Sequence, residues 1–136
     1  MKKKLTVRQV RSINWPSALK QGRALRTREA YRVGELIVNK VQGPDVQRSR
    51  ARHPWSLRAI ASAIEMSSPA TLNRCVQIYA IVQYLKLKEK LDDIPAHLLV
   101  ASVRIPERRR RAFVNKGLKE GWTKHTAVQR AEEISP

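Results

Sequence analysis

The sequence predicts an all-α fold, a compact multi-helix domain, on two observations. In several separate segments apolar residues recur at intervals of three and four, which is the spacing of one face of a helix. No segment shows the sustained alternation of apolar and polar residues that is typical of a half-buried strand. Aromatic residues make up only 5% of the chain, so we expect a core built from Leu, Ile, Val and Ala.

The length of 136 residues suits one domain, and no change in composition marks a second. We divide the chain into residues 1–15, a basic arm or short helix, and residues 16–136, a single helical domain. Trp15-Pro16 ends the first segment, because the residue before a proline avoids helical geometry. The hydrophobic content of 42% is enough for a folded chain rather than a disordered polycation.

The region between Leu19 and Val41 predicts a helix that ends at Gly43-Pro44. Apolar residues at helical spacing form one face: Ala30, Val33, Leu36, Ile37 and Val41. Basic residues occupy the opposite face: Arg23, Arg26, Arg28, Arg32 and Lys40. The polar, unpatterned residues 45–54 predict a loop that exposes Arg48, Arg50 and Arg52.

Two adjacent helices are predicted in the centre of the chain, at about residues 56–85. Ser56 is placed to cap the first helix, which lies within residues 55–66. Ser68 is placed to cap the second, and Pro69 suits its first helical position. Apolar residues cover so much of the second helix that we expect it to pack on several sides as the central helix.

Three short helices are predicted after a charged connection at residues 86–93, and they cover residues 95–103, 106–118 and 123–134. Pro95 and Pro106 suit first turns, and Thr123 is placed to cap the last helix. For Asp92-Asp93 we favour a capping role before Pro95 over a metal or acid–base pair.

The charge of the chain predicts a polyanionic partner. Twenty-eight Lys and Arg against eleven Asp and Glu give a formal net charge of +17 and a pI near 11.1. Residues 1–60 hold fifteen basic and three acidic residues, whereas residues 61–136 hold thirteen and eight. Such a concentration of like charge opposes compaction, and a nucleic acid would relieve it.

The two central helices have the order expected of a helix-turn-helix. Ala61 or Ala63 would be the small residue at the contact between the helices, and Met66 would fill the turn. Leu72 and Val76 would anchor the second helix, while Glu65 stands where glycine is common. An ordinary helical hairpin with a proline-started second helix would show the same order, so both interpretations stay open.

In a helix-turn-helix the leading end of the second helix faces the major groove, and its polar side chains read base edges. The candidate base-reading residues are Ser67, Ser68, Thr71, Asn73, Arg74 and Gln77. The candidate phosphate-binding residues are Lys2, Lys3, Lys4, Arg48, Arg50, Arg52, Arg58, Arg108 and Arg110. In the run of four arginines at 108–111 we expect one or two stems to pack on the core.

Residues 56–79 resemble the helix-turn-helix of ParB/KorB-type partition and regulatory proteins. Residues 94–101, 108–113 and 120–123 are similar to the segment that closes the helical domain in that family. A similar layout, including residues 31–37, occurs in the N-terminal module of some bacterial predicted nucleases. The resemblance covers about residues 55–134 and implies DNA binding. It implies neither CTP hydrolysis nor DNA cleavage, because the chain lacks both corresponding domains.

No residue pattern indicates an enzyme, a cofactor or a small-molecule substrate. His53, His97 and His125 lie too far apart for the spacing of a metal site. We expect His97 to be a hydrogen-bonded core residue and Cys75, the only cysteine, to be a small buried hydrophobe. The single cysteine suits a reducing compartment, and no apolar run indicates a signal peptide or a membrane span.

The sequence therefore predicts a cytoplasmic, nucleoid-associated protein that binds double-stranded DNA at specific sequences, of bacterial or mobile-element type. We expect a transcriptional regulator, or a plasmid or phage partition or transfer accessory factor, acting as a homodimer on two half-sites. The alternatives are a basic RNA-binding or ribonucleoprotein component and a nucleoid-type protein that coats DNA without sequence preference.

Overall fold

In the computed structural model of the protein, residues 5–42, 55–65 and 68–134 are described. These residues form helices joined by turns and contain no strand, so the all-α prediction is confirmed. The α-helices are α1 (Val7–Arg11), α2 (Ser17–Lys20), α3 (Thr27–Leu36), α4 (Leu57–Ala63), α5 (Pro69–Leu85), α6 (Ala96–Ser102), α7 (Glu107–Glu120) and α8 (Lys124–Ile134). A π-helix at Ile37–Gln42 continues α3, and a 3₁₀-helix at Lys88–Asp93 precedes α6.

Helix α5 is the central helix, as its broad apolar surface predicts. It packs against α3, α4 and α6. The buried residues of α5 are Leu72, Cys75, Val76, Ile78, Ile81, Val82 and Leu85. They belong to a hydrophobic cluster to which all eight α-helices contribute. Burial of each large aliphatic side chain stabilises the fold by about 1.5–3 kcal/mol before the entropy of ordering is counted.

Helices α3 and α5 lie very close together at Gly34. A Cβ atom at this position would lie 2.3 Å from the carbonyl oxygen of Cys75 and 2.7 Å from the Cβ atom of Tyr79. One turn earlier on α3, the ring of Tyr31 lies 5.2 Å from that of Tyr79, centroid to centroid. Glycine is therefore required at position 34 by the neighbouring backbone, and this contact fixes α5 against α3.

Cys75 is a buried small residue of the core, as predicted, with 2% of its surface exposed. Burial raises the pKa of its thiol to about 12, because the thiolate would lose its hydration. The thiol is neutral at physiological pH, and its role is packing.

The N-terminal segment forms a short helix that docks on the body of the protein. Val10 of α1 is fully buried. Two indole groups hold the segment by its backbone. Trp15 Nε1 donates to the carbonyl oxygen of Val10 at 3.0 Å, and Trp55 Nε1 donates to that of Leu5 at 2.9 Å. Of the two states expected for residues 1–15, the described part takes the helical one.

The helix predicted between Leu19 and Val41 is present from Thr27 onward, and its predicted apolar face is buried, but the residues before Thr27 do not belong to it. Helix α2 ends at Lys20, and the chain turns through Gly22, whose φ of +68° suits glycine. Helix α3 begins at Thr27. The backbone N–H of Arg26, the residue before it, donates to the carboxylate of Glu29 at 3.0 Å. Arg23 and Arg26, predicted for the basic face of this helix, therefore lie before α3. The predicted stop at Gly43-Pro44 and the predicted loop at residues 45–54 lie outside the described residues.

The capping role predicted for Asp92 is also wrong. Its carboxylate pairs with the guanidinium of Arg28 on α3 through two contacts of 2.9 Å, Nε to Oδ1 and the terminal nitrogen to Oδ2. Helix α6 starts after Pro95, and no side chain caps it. The guanidinium lowers the pKa of Asp92 from its usual value through the hydrogen bond and its charge. Residues 88–93 form a 3₁₀-helix with Leu91 buried, rather than only a charged connection.

The three C-terminal helices agree with the prediction to within a few residues. The hydroxyl of Thr123 accepts from the backbone N–H of Thr126 at 3.2 Å, which is the predicted cap of α8. His97 Nε2 lies 3.1 Å from the carbonyl oxygen of Trp122, so this half-buried histidine is hydrogen-bonded as expected. Within the described ranges, no helix is both long enough and apolar enough to span a bilayer.

Candidate nucleic-acid interface

Helices α4 and α5 form the candidate DNA-binding unit. The Ser56 hydroxyl accepts from the backbone N–H of Ala59 at 3.1 Å, which confirms it as the N-cap of α4. Ser68 is the N-cap of α5, but its side chain makes no capping hydrogen bond. Pro69 occupies the first helical position of α5, as predicted. Residues 64–68 connect the two helices, and of these Met66 and Ser67 lie outside the described residues.

Glu65 adopts a left-handed conformation in this connection, with a φ of +59°. The sequence places it where a helix-turn-helix commonly has glycine, and the backbone angle supplies the physical reason for that preference. A residue with a Cβ atom is strained here, so the chain is held in this turn by contacts around it. The side chain of Glu65 is 76% exposed.

Arg11 on α1 provides such a contact. Its Nε donates to the carbonyl oxygen of Ala63 at 2.9 Å, at the last residue of α4. A terminal guanidinium nitrogen of the same side chain lies 3.5 Å from Glu65 Oε1. Arg11 thus joins α1 to the end of α4 and to the turn. Sequence reasoning missed this residue, because the two partners are more than fifty positions away along the chain.

The residues expected to hold the two helices together are buried. Ala61 and Ala63 of α4 are 3% and 5% exposed, and Leu72 and Val76 of α5 are 0% and 3% exposed. The side-chain packing expected of a helix-turn-helix is therefore present on both helices, and an ordinary hairpin would bury the same residues.

The leading end of α5 presents polar side chains to solvent. Asn73 and Arg74 are exposed, while Ser68, Thr71 and Gln77 are half-buried. Arg74 is the only charged residue of α5, and the helix contains no acidic residue. The structure thus brings together five of the six candidate base-reading residues, and Ser67 lies outside the described residues.

Most candidate phosphate-binding residues lie outside the described ranges, namely Lys2, Lys3, Lys4, Arg48, Arg50 and Arg52. The described residues next to these two basic segments, however, lie together at the start of α4. Gln42 Nε2 donates to the carbonyl oxygen of Trp55 at 2.8 Å, and Trp55 in turn donates to Leu5. Arg58, on the first turn of α4, is exposed.

The arginine run on α7 divides into two kinds of residue. Arg110 is half-buried, and its Nε and a terminal nitrogen donate to the carbonyl oxygens of Ser102 and Val103 at 2.9 and 3.2 Å. It therefore caps the C-terminal end of α6, which agrees with the expectation that one or two of the four stems pack inward. Of the two phosphate-binding candidates in this run, Arg110 thus donates to protein carbonyls, and Arg108 is the exposed one. Arg108, Arg109 and Arg111 are exposed.

Comparison of this chain with protein-family models, with curated proteins and with solved structures finds no match.

Proposed function

We propose that this chain binds double-stranded DNA at specific sequences, with the leading end of α5 in the major groove. One observation carries the proposal. Asn73 and Arg74 are exposed at the start of a helix whose other sides are fixed by α3, α4 and α6. Base reading requires side chains held in defined positions by a rigid element, and α5 meets that requirement.

The chemistry of these side chains suits base edges. Asn pairs with adenine through two hydrogen bonds, and Arg pairs with guanine in the same way. The absence of acidic residues from α5 favours the approach of a polyanion. The left-handed turn at Glu65 adds support, since it lies where the helix-turn-helix pattern commonly has glycine.

Contacts to the sugar–phosphate backbone would come from Arg58 and from the two basic segments that join the body beside Trp55. In the cell we propose a nucleoid-associated role without a chemical step, as a transcriptional regulator or as a partition or transfer accessory factor. Since one recognition helix reads few base pairs, we propose a homodimer on two half-sites about one helical turn apart.

The first experiment is selection of binding sites from random duplexes at physiological salt. A recovered motif is expected, and it supplies the cognate duplex for the variants Asn73→Ala and Arg74→Ala. Each variant should lose about 1–3 kcal/mol of discrimination between cognate and scrambled duplexes, while non-specific binding persists. Gln129→Ala and Arg130→Ala, exposed on α8, remove the same kinds of side chain elsewhere and should leave discrimination unchanged.

Selection without a recovered motif would indicate a protein that coats DNA irrespective of sequence. If a motif is recovered but Asn73→Ala and Arg74→Ala retain full discrimination, α4 and α5 are an ordinary helical hairpin. Sedimentation of the complex with the cognate duplex tests the dimer, and one protein per duplex would contradict it.

A further inference from the structure

Helix α7 carries a row of polar and basic side chains distinct from the α5 site. Arg108, Arg111, Asn115 and Lys119 are spaced by three, four and four residues, which places them on one face of the helix. All four are exposed. From the first to the last, the row extends for about 16 Å at the helical rise per residue. We call these four residues the α7 ridge.

The cations of the α7 ridge lack acidic partners among the described residues. Three other basic residues of the C-terminal half are paired with acidic ones at 3.4–4.0 Å: Lys116 with Glu120, Arg104 with Glu132, and Arg130 with Glu133. Arg108 and Arg111, three positions apart, repel each other, and Arg108 lies in the first turn, where the helix dipole disfavours a cation. Lys119, in the last turn, is favoured by the dipole, so helix stability accounts for Lys119 but not for Arg108 and Arg111.

We propose that the α7 ridge binds the phosphate backbone of the duplex, at a position that flanks the bases read by α5. This inference rests on the proposed DNA binding and adds a second contact to it. Helix α7 packs on α6, which itself packs on α5, so the two proposed DNA contacts lie on helices joined through α6. A duplex has one phosphate charge per about 1.7 Å of its axis, so phosphates are available along the whole ridge.

The composition of the surface favours nucleic acid over an anionic membrane. A helix that lies on a membrane needs a free apolar face. The apolar residues Phe113 and Val114 of α7 are buried in the core. The large hydrophobic residues that are exposed in the described part of the chain, Val7 and Tyr84, lie on other helices. The ridge therefore offers charge and hydrogen-bond donors without an apolar anchor.

The test compares two triple variants with the same change in net charge. The ridge variant is Arg108→Gln with Arg111→Gln and Lys119→Gln. The control is Arg104→Gln with Lys116→Gln and Arg130→Gln, which removes three cations that have acidic partners. Affinity for a scrambled duplex is measured between about 50 and 200 mM salt, where each phosphate contact contributes nearly one unit to the slope of log K against log salt. The slope should fall by about two to three units in the ridge variant and by less than one in the control.

Equal slopes of log K against log salt in the two triple variants would overturn the proposal for the α7 ridge, since net charge alone would then explain the binding. Loss of binding to phosphatidylglycerol vesicles, with duplex binding intact, would overturn it in favour of a lipid surface. If the ridge variant retains the wild-type slope while Asn73→Ala still lowers discrimination, the α7 ridge is contradicted and the proposed sequence specificity is not. If the wild-type protein prefers no duplex over another but the ridge variant has a smaller salt slope, the proposed sequence specificity is contradicted and the α7 ridge is not. No binding of the wild-type protein to any duplex at 50 mM salt overturns both. Circular dichroism melting of each triple variant verifies that it is folded.

Discussion

Helices α5 and α7 differ in nearly every respect that matters for binding a polyanion. Helix α5 has seven buried residues, packs on three other helices and contains one charged residue, Arg74. Helix α7 has three buried residues, packs mainly on α6 and is charged along most of its length. A helix held on three sides suits a task that depends on the exact position of an amide or guanidinium group. A peripheral, charged helix suits contact with phosphates, which tolerates small displacements.

Cationic charge and firm packing are therefore found on different helices of this fold. The helix with most cations is the one less firmly held, and the helix with a single cation is the one at the centre of the core. Three pairs of substitutions follow in order of expected effect: the first compares α5 with α7, and the other two test how α5 is held at its start and at its end.

Gly34→Ala should have the largest effect, because the added Cβ atom meets the backbone of α5. The gain in helix propensity is about 1 kcal/mol, but the carbonyl oxygen at 2.3 Å allows no local adjustment. We expect a net loss of about 2 kcal/mol or more in the free energy of unfolding, measured by urea denaturation. Discrimination between duplexes should decrease as α5 moves.

Gly117→Ala on α7 is the matched control. Its added Cβ atom would meet the side chains of Leu98 and Trp122, at 2.5 and 2.9 Å, and not a backbone atom. Side chains adjust more readily, so we expect a loss of about 1 kcal/mol or less with discrimination intact. A larger loss for Gly117→Ala than for Gly34→Ala would contradict the view that α5 is the more tightly held helix.

Ser56→Ala and Ser68→Ala compare the starts of α4 and α5. Ser56 makes a capping hydrogen bond, so its loss should lower the free energy of unfolding by about 1 kcal/mol. The side chain of Ser68 makes no such bond, so Ser68→Ala should change stability by only a few tenths of a kcal/mol. If the hydroxyl of Ser68 contacts the DNA, Ser68→Ala should weaken binding to the cognate duplex in a fluorescence-anisotropy titration. Equal destabilisation by both variants would show that Ser68 is a cap after all.

Glu65→Gly and Lys86→Gly compare the turn that precedes α5 with the C-terminal end of α5, since both residues have positive φ angles, of 59° and 56°. Each glycine should relieve strain and raise the free energy of unfolding by about 0.5–1 kcal/mol. The exposed pair of Glu65 with Arg11 contributes little, so its loss subtracts little. The effects on DNA should differ in sign, since Glu65→Gly removes a negative charge beside the leading end and Lys86→Gly removes a positive one. Tighter duplex binding is expected only for Glu65→Gly. An equal change in duplex affinity for both variants would contradict the placement of this turn beside the DNA.

The sequence was sufficient to predict the helices whose ends carry local signals. Ser56, Pro69 and Thr123 mark the starts of α4, α5 and α8 by chemistry that acts within one turn. The buried face of α5 follows from its periodicity, as does the exposure of Asn73 and Arg74 opposite to it. These features depend on neighbours three or four positions away, which a single sequence displays.

What the sequence did not reveal depends on distant partners. The pairing of Asp92 with Arg28 spans more than sixty positions, and the local alternative, a helix cap, was the stronger signal. The contacts of Arg11 with Ala63 and Glu65 are invisible for the same reason. Arg110 could not be separated from its three neighbours, because only the end of α6 determines which arginine turns inward.

The two indole groups that hold the N-terminal segment set a boundary for anyone who wishes to transplant or shorten this fold. A fragment that starts at α2 would lack Trp15, would remove the carbonyl group of Leu5 to which Trp55 Nε1 donates, and would open the space filled by Val10. It would also release the end of α4 from Arg11. A portable module must therefore begin no later than Leu5, although the helices at its centre start more than fifty residues further on.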